Sequence, residues 1–170
     1  MYNLLSKSIG QIAFVTPNLD DTIKTYYDKF NIKDWEVYYY GPELLNLMKY
    51  KGQNSSFNLK IGLTYFGRTR VEFIQPVDGD SIHRDFLKEH KYGVQHLGIY
   101  VDCLEEEKKI AIKEGFDIVM EGAGFGMDGD GHFAYLDTIE KFGVIYEIIE
   151  RPIQKKLPTY IISKETFYHE

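Results

Sequence analysis

Residues 11–31 read QIAFVTPNLDDTIKTYYDKFN, and residues 96–116 read HLGIYVDCLEEEKKIAIKEGF. Set one beneath the other, the two stretches align without a gap at an offset of 85 (96 − 11). Ile12 falls on Leu97, Phe14 on Ile99, Leu19 on Leu104, Asp20 on Glu105 and Lys24 on Lys109. A fixed internal period marks a duplicated structural unit. Each copy opens with an apolar run containing β-branched or aromatic residues, which predicts a strand, and continues through a turn into an amphipathic helix. Asn18 is suited to cap the first helix, with Asp20 and Asp21 placed for its dipole. The buried stripe of that helix is expected to be Leu19, Ile23, Tyr26 or Tyr27, and Phe30. In the second copy Glu105, Glu106 and Glu107 open the helix and Gly115 stops it.

Working outward, the module ends correspond too. RVEFIQP from Arg70 resembles IYEIIERP from Ile145, so that Glu72 matches Glu147 at an offset of 75 (147 − 72). The first module is therefore longer by ten residues (85 − 75). Further strand-like runs lie between: WEVYYY from Trp35, SFNLKIGLTYF from Ser56, DIVMEG from Asp117 and HFAYLD from His132. The fold class predicted is α+β, with two tandem βαβββ modules forming a curved mixed sheet around a cleft. Residues 8–77 make module one, 93–152 module two, 78–92 a linker and 153–170 a tail, all within one domain. SIHRDFLKEH in the linker predicts a short helix capped by Ser81 that buries Ile82, Phe86 and Leu87. The tail fits neither copy and is open to two roles, an added strand or a contact with a partner subunit.

Composition narrows the function. With 170 residues and 44% hydrophobic content, the chain can bury a core. The net charge of −6 and the scattered lysines and arginines argue against a nucleic-acid partner. Cys103 is the one cysteine, which rules out an internal disulfide and a cysteine-based zinc site. No signal-peptide core and no run of membrane-spanning length is present, so a soluble cytoplasmic protein is expected.

Strand alternation places the candidate chemistry. If Ile12, Phe14, Leu97 and Ile99 face the helices, then Gln11 and His96 face the other side, each followed two residues on by a small one, Ala13 or Gly98. Glu72 and Glu147 stand inside apolar strands, where a carboxylate is costly unless a charge or hydrogen bond meets it. One His or Glu in a strand is ordinarily structural. Two polar positions recurring in both modules, all with ligand chemistry, point instead to a divalent cation shared by Gln11, Glu72, His96 and Glu147.

QIAFV, VEFIQP, QHLGIYVD and GVIYEIIE resemble the vicinal oxygen chelate superfamily, which includes glyoxalases, bleomycin resistance proteins and dioxygenases. The likeness spans about residues 8–152, and GVQHLGIYVD with GHFAYLDTIEKFGVIYEIIERP is most similar to the methylmalonyl-CoA epimerase and glyoxalase branch. The resemblance implies one divalent ion (Zn, Ni, Co, Mn or Mg) on those four residues, a small-molecule substrate and a homodimer. It also implies proton transfer next to a carbonyl, with Glu147 the first choice of base and Glu72 the second. The alternatives are a lactoylglutathione lyase, for which Gln at the first position is familiar, or a non-enzymatic drug-binding protein without metal. A ring-cleaving dioxygenase would need two histidines, and Gln11 stands in place of one.

Other motifs are discounted. In DGDGHFAYLDTIE from Asp128, His132 and Phe133 occupy places that a calcium loop reserves for a ligand and a glycine. GAGFGMDGDG from Gly122 lacks dinucleotide-binding spacing and reads as a surface loop, with a lid the other role open to it. His83, His90, His132 and His169 have no counterpart in the repeat, and the run from Tyr38 to Tyr40 reads as strand packing.

Overall fold

The computed structural model describes residues 3–163 and 165–166. Strand β1 (Ile9–Val15) leads into helix α1 (Leu19–Phe30). The Asn18 side chain accepts the N–H groups of Asp20 and Asp21, closing the helix start as the sequence predicts. Strands β2 (Trp35–Tyr40), β3 (Leu47–Tyr50), β4 (Gln53–Asn54), β5 (Asn58–Phe66) and β6 (Thr69–Asp78) complete the first half. Helix α2 (Ile82–His90) connects the halves, with the Ser81 hydroxyl accepting from the N–H of Arg84. The second half holds β7 (Gly93–Val101), α3 (Leu104–Lys113), β8 (Ile118–Ala123), β9 (His132–Leu136), the single-turn α4 (Ile139–Phe142) and β10 (Ile145–Glu150). The tail adds β11 (Tyr160–Ile162).

All eleven strands join one curved, unclosed mixed sheet in the order β11-β2-β5-β6-β1-β7-β10-β9-β8-β3-β4. Its centre is pseudo-symmetric. β1 pairs parallel with β6, β7 pairs parallel with β10, and β1 meets β7 antiparallel across the junction. The duplication reaches the helix starts: the Gln75 side chain accepts the N–H of Leu19, and the Glu150 carboxylate accepts that of Leu104. Each interaction satisfies an N–H group that the first turn of a helix leaves free.

Three apolar clusters hold the halves. Leu19 and Ile23 of α1 pack on Trp35, Val71 and Phe73, and Leu104 and Ala111 of α3 pack on Ile99, Leu136 and Ile148. A third cluster fills the concave side, where Ile61 and Ile74 of the first half meet Met120, Phe133 and Ile149 of the second. Phe30, expected on the buried stripe, is 68% exposed. It occupies the last turn of α1, where the chain leaves through left-handed Asn31, and its ring rests on Tyr26. In α2, Phe86 and Leu87 are half-buried and His83 is fully enclosed.

Two parts of the topology go beyond the sequence reading. The extra length of the first half lies between β2 and β5, where residues 41–57 correspond to the shorter 124–131 of the second half. That length forms the β3–β4 hairpin, which crosses to pair with β8 on the far side of the second half. Of the two roles open to the tail, residues 160–162 take the added strand, antiparallel to β2. Among the described residues no helix is long and apolar enough to cross a membrane.

Candidate metal centre

Gln11, Glu72, His96 and Glu147 come one each from β1, β6, β7 and β10, the four central strands, and all turn to the concave face. Their exposures are 5%, 8%, 0% and 4%. The His96 Nε2 atom stands 3.4 Å from Glu72 Oε2 and 3.3 Å from Glu147 Oε2. The Gln11 amide donates to Glu72 Oε2 at 2.8 Å. One ligand atom each of Glu72, His96 and Glu147 lies within 4.8 Å of the others.

Gly98 makes this convergence possible. A Cβ there would come within 2.9 Å of Ile149 Cδ1, 3.0 Å of Gln11 Cβ and 3.3 Å of Glu147 Oε2. The small residue two positions after His96 thus yields its space to two of the four side chains.

A residue that alternation hides sets the orientation of His96. Ala13 pairs with His96, but Phe14 pairs with Val94, so Gln95 is an extra residue in β7. Such a bulge breaks the in-and-out pattern and allows successive side chains to face the same side. Gln95 is buried beside His96 and donates its amide N–H to Ile82 O at 2.9 Å. Its Oε1 therefore faces both His96 Nδ1 (3.1 Å) and His83 Nδ1 (2.7 Å). An oxygen can only accept, so both Nδ1 atoms carry hydrogen and His96 Nε2 is the nitrogen left facing the two glutamates.

The electrostatics describe a site that competes for cations. Burial alone would push the His96 pKa down, yet Glu147 and then Glu72 outweigh it and raise it to about 9. Burial raises Glu147, and His96 opposes the rise. Burial, then the neighbouring Glu147 and Glu72, hold the Tyr135 phenol protonated opposite Glu147 on the adjoining strand. His83 is lowered to about 3 by burial and by His96, so it stays neutral.

These residues fit a divalent ion. His96 Nε2 and Glu147 Oε2 are buried 3.3 Å apart without a well-formed hydrogen bond, and a native interior rarely leaves such atoms so. The donor set is one imidazole nitrogen, two carboxylates and an amide whose half-turn presents oxygen in place of nitrogen. A roof closes over it, with Phe125 from the glycine-rich loop against Tyr40 and Phe133 at 5.9 and 6.1 Å. Backbone bonds from Gly124 to Gly131 and from Met127 to Gln154 tie that loop down. Tyr40, read from the sequence as strand packing, also lines the site.

The remaining histidines lie elsewhere or play other parts. His132 turns to the helix face of β9, because Phe133 and Tyr135 take the concave face. There it meets Glu121 at 3.4 Å and Glu105 at 3.7 Å. Lys108 and Lys49 already neutralise Glu121, whose pKa is held far below the usual range by His132, Lys108 and Lys49. His90 is exposed and stacks on Phe86, while His169 lies outside the described residues. Gln95, His83, Tyr135, Arg70, Tyr100 and Arg151 belong to the site or its mouth and were not assigned to it from sequence.

Comparison with known proteins finds relatives of the chain. The family model of the Glyoxalase/Bleomycin resistance protein/Dioxygenase superfamily matches residues 10–135. An uncharacterized protein of Bacillus subtilis (strain 168), YqjC, is 24% identical over 123 residues, covering 71% of this chain and 85% of its own. The structure of a hypothetical protein from Bacillus halodurans C-125 is 20% identical with a TM-score of 0.59, over 89% of this chain and 99% of its own. Methylmalonyl-CoA epimerase from Mycobacterium tuberculosis superposes with a TM-score of 0.56 at 18% identity, over 89% of this chain and 91% of its own.

Proposed function

This chain belongs to the Glyoxalase/Bleomycin resistance protein/Dioxygenase superfamily, and from that premise we propose that it is a divalent-metal-dependent enzyme moving a proton next to a carbonyl, in the manner of a methylmalonyl-CoA epimerase. The observation that carries this reading is the placement of two buried carboxylates, Glu72 and Glu147, on either side of the His96 Nε2 atom at 3.4 and 3.3 Å. Gln11, Glu72, His96 and Glu147 would hold the ion. When bound, it supplies Lewis acidity to a chelating carbonyl, which acidifies the neighbouring C–H.

The protein's own groups do the rest. Gln95 holds His96 by its Nδ1 atom, so that Nε2 is the nitrogen turned to the glutamates and the one that loses its proton to an ion, and in the metal-free site Gln11 donates to Glu72. Glu147 takes the proton from the carbon next to the carbonyl, through the carboxylate oxygen left free when the other holds the ion. Epimerisation requires a proton to return to the opposite face; Glu72 would deliver it from its acid form, and the two glutamates exchange roles in the reverse direction. Tyr135 stays protonated and faces Glu147 as a hydrogen-bond donor. Phe125, Tyr40 and Phe133 exclude bulk water, which strengthens every charge interaction beneath them.

Gln11 at the first position favours a second reading, a lactoylglutathione lyase, in which the proton moves between adjacent carbons of a thiol adduct. Metal-loaded wild type and Glu147→Gln are to be incubated in deuterium oxide with methylmalonyl-CoA, and separately with the methylglyoxal–glutathione adduct. The proposal expects deuterium at the α-carbon of the thioester with wild type and a loss of about a hundred-fold or more in the variant. Exchange with the thiol adduct alone would establish the second reading. Normal turnover by Glu147→Gln would remove Glu147 as the base.

A further inference from the structure

At its open end, the concave site changes character from acidic to basic. The inner cavity, of about 60 Å³, is lined by Arg70, Tyr100 and Arg151 together with Gln11, Glu72 and Glu147. It is the smaller of the two cavities that Arg70 lines. A wider cavity of about 470 Å³ shares Arg70 with it and adds Lys155 and Glu36. Arg70 thus stands where the two cavities adjoin.

In a chain with a net charge of −6, three cations at one opening call for a counter-charge. Lys155 has one, since its Nζ lies 2.9 Å from Glu36. Both arginines meet the same phenol, Arg70 at the Tyr100 hydroxyl and Arg151 with its guanidinium 4.7 Å above the ring. Stacking uses the face of a guanidinium and leaves its in-plane N–H groups for an acceptor. The Arg70 Nε atom is buried and has no hydrogen-bond partner. Tyr100 has its place because residue 10 is glycine: a Cβ there would come within 2.3 Å of the Tyr100 ring. Glu72 and Glu147 are the carboxylates lining the inner cavity. A divalent ion would consume their two charges and leave the arginine pair in excess.

We propose that Arg70 and Arg151 form an anion subsite at the mouth of the cleft, which receives a carboxylate or phosphate group of the substrate while its reacting end reaches the four central side chains. This deepens the proposed function and rests on its reading of the cleft as the substrate site. The subsite is geometrically suited to such a group, because a guanidinium binds carboxylate and phosphate through paired N–H donors. A neutral substrate would leave the arginine pair without an anionic partner and the buried Arg70 Nε atom without an acceptor.

Calorimetric titration tests the subsite with malonate, inorganic phosphate and neutral malonamide as probes. The proteins are wild type, Arg70→Gln and Arg151→Gln, each in manganese-loaded and chelator-treated form, with metal content measured separately. Arg151 is exposed, so its variant is the safeguard should Arg70→Gln fold poorly. The expected result is that wild type binds an anion and binds malonamide more weakly. Each arginine variant should lose about ten-fold or more in anion affinity at unchanged metal content. Binding of malonate alone would identify a carboxylate as the recognised group, and binding of phosphate alone a phosphate. If wild type takes up no metal, loss of anion binding between chelator-treated wild type and Arg151→Gln still sustains the subsite while the metal reading fails. Anion binding by both variants equal to wild type, or none by wild type in either form, overturns it.

Discussion

Replacing Gln95 with leucine removes a side chain of similar length from the centre of the polar network. It deletes the acceptor shared by His83 Nδ1 (2.7 Å) and His96 Nδ1 (3.1 Å). Two ring N–H groups are then left in a site where both histidines are 0% exposed. Each unsatisfied buried donor costs about 1–3 kcal/mol, so the fold should lose about 2–6 kcal/mol, a large part of a typical domain's stability. Outer-shell partners of a metal-bound histidine change affinity by about 10–100-fold, because they fix the tautomer and ring angle. Urea denaturation gives the first quantity, and competition against a colorimetric chelator gives the second. Gln95→Glu is the control. It keeps acceptor oxygens toward both histidines while losing the donor to Ile82 O, so it should retain metal affinity better than the leucine variant. A leucine variant that lost stability yet bound metal as tightly as wild type would refute the tautomer argument.

The pH dependence of the metal-free protein follows from His96. Its folded pKa is raised from 6.5 to about 9, so its stabilising contribution is complete below about 6.5 and is lost as pH climbs through about 9. The loss should be about 3 kcal/mol, with raised Glu147 acting in the same direction. Urea denaturation of chelator-treated protein should show this decline, while metal-loaded protein should not. Metal affinity should rise over the same window as protons leave Nε2, and identical profiles with and without metal would contradict the scheme. Gly98→Ala places a methyl against Ile149, Gln11 and Glu147. It should fold with about 1–3 kcal/mol less stability and weaker metal binding, measured by denaturation and chelator competition; wild-type metal affinity would count against Gly98 as the space-maker.

The duplicated strand and helix could be read from the sequence because backbone pairing and apolar periodicity impose the same spacing on both copies. The convergence of Gln11, Glu72, His96 and Glu147 was legible for the same reason: each polar residue recurs at an equivalent register. Gln95 was hidden by the bulge that turns it to the same side as His96, since alternation assigns neighbours to opposite faces. Arg70 and Arg151 were hidden because Ile145 and Pro76 stand at their counterparts in the repeat, so no symmetry points to them. The β3–β4 hairpin has strands of four and two residues, too short for a periodic signal, and exists through its pairing with β8. The place of His132, set aside for want of a counterpart in the repeat, agrees with alternation along HFAYL, which puts it opposite Phe133 and Tyr135 and away from the cleft.

The central claim is that the four converging side chains hold a divalent ion. Elemental analysis of purified wild type and His96→Ala, each after metal add-back and removal of excess, tests it most directly. The account predicts about one divalent ion per chain in wild type and its loss in His96→Ala, with the variant still folded by circular dichroism. Wild type that retains no metal after add-back, or a folded His96→Ala that retains as much as wild type, would contradict it.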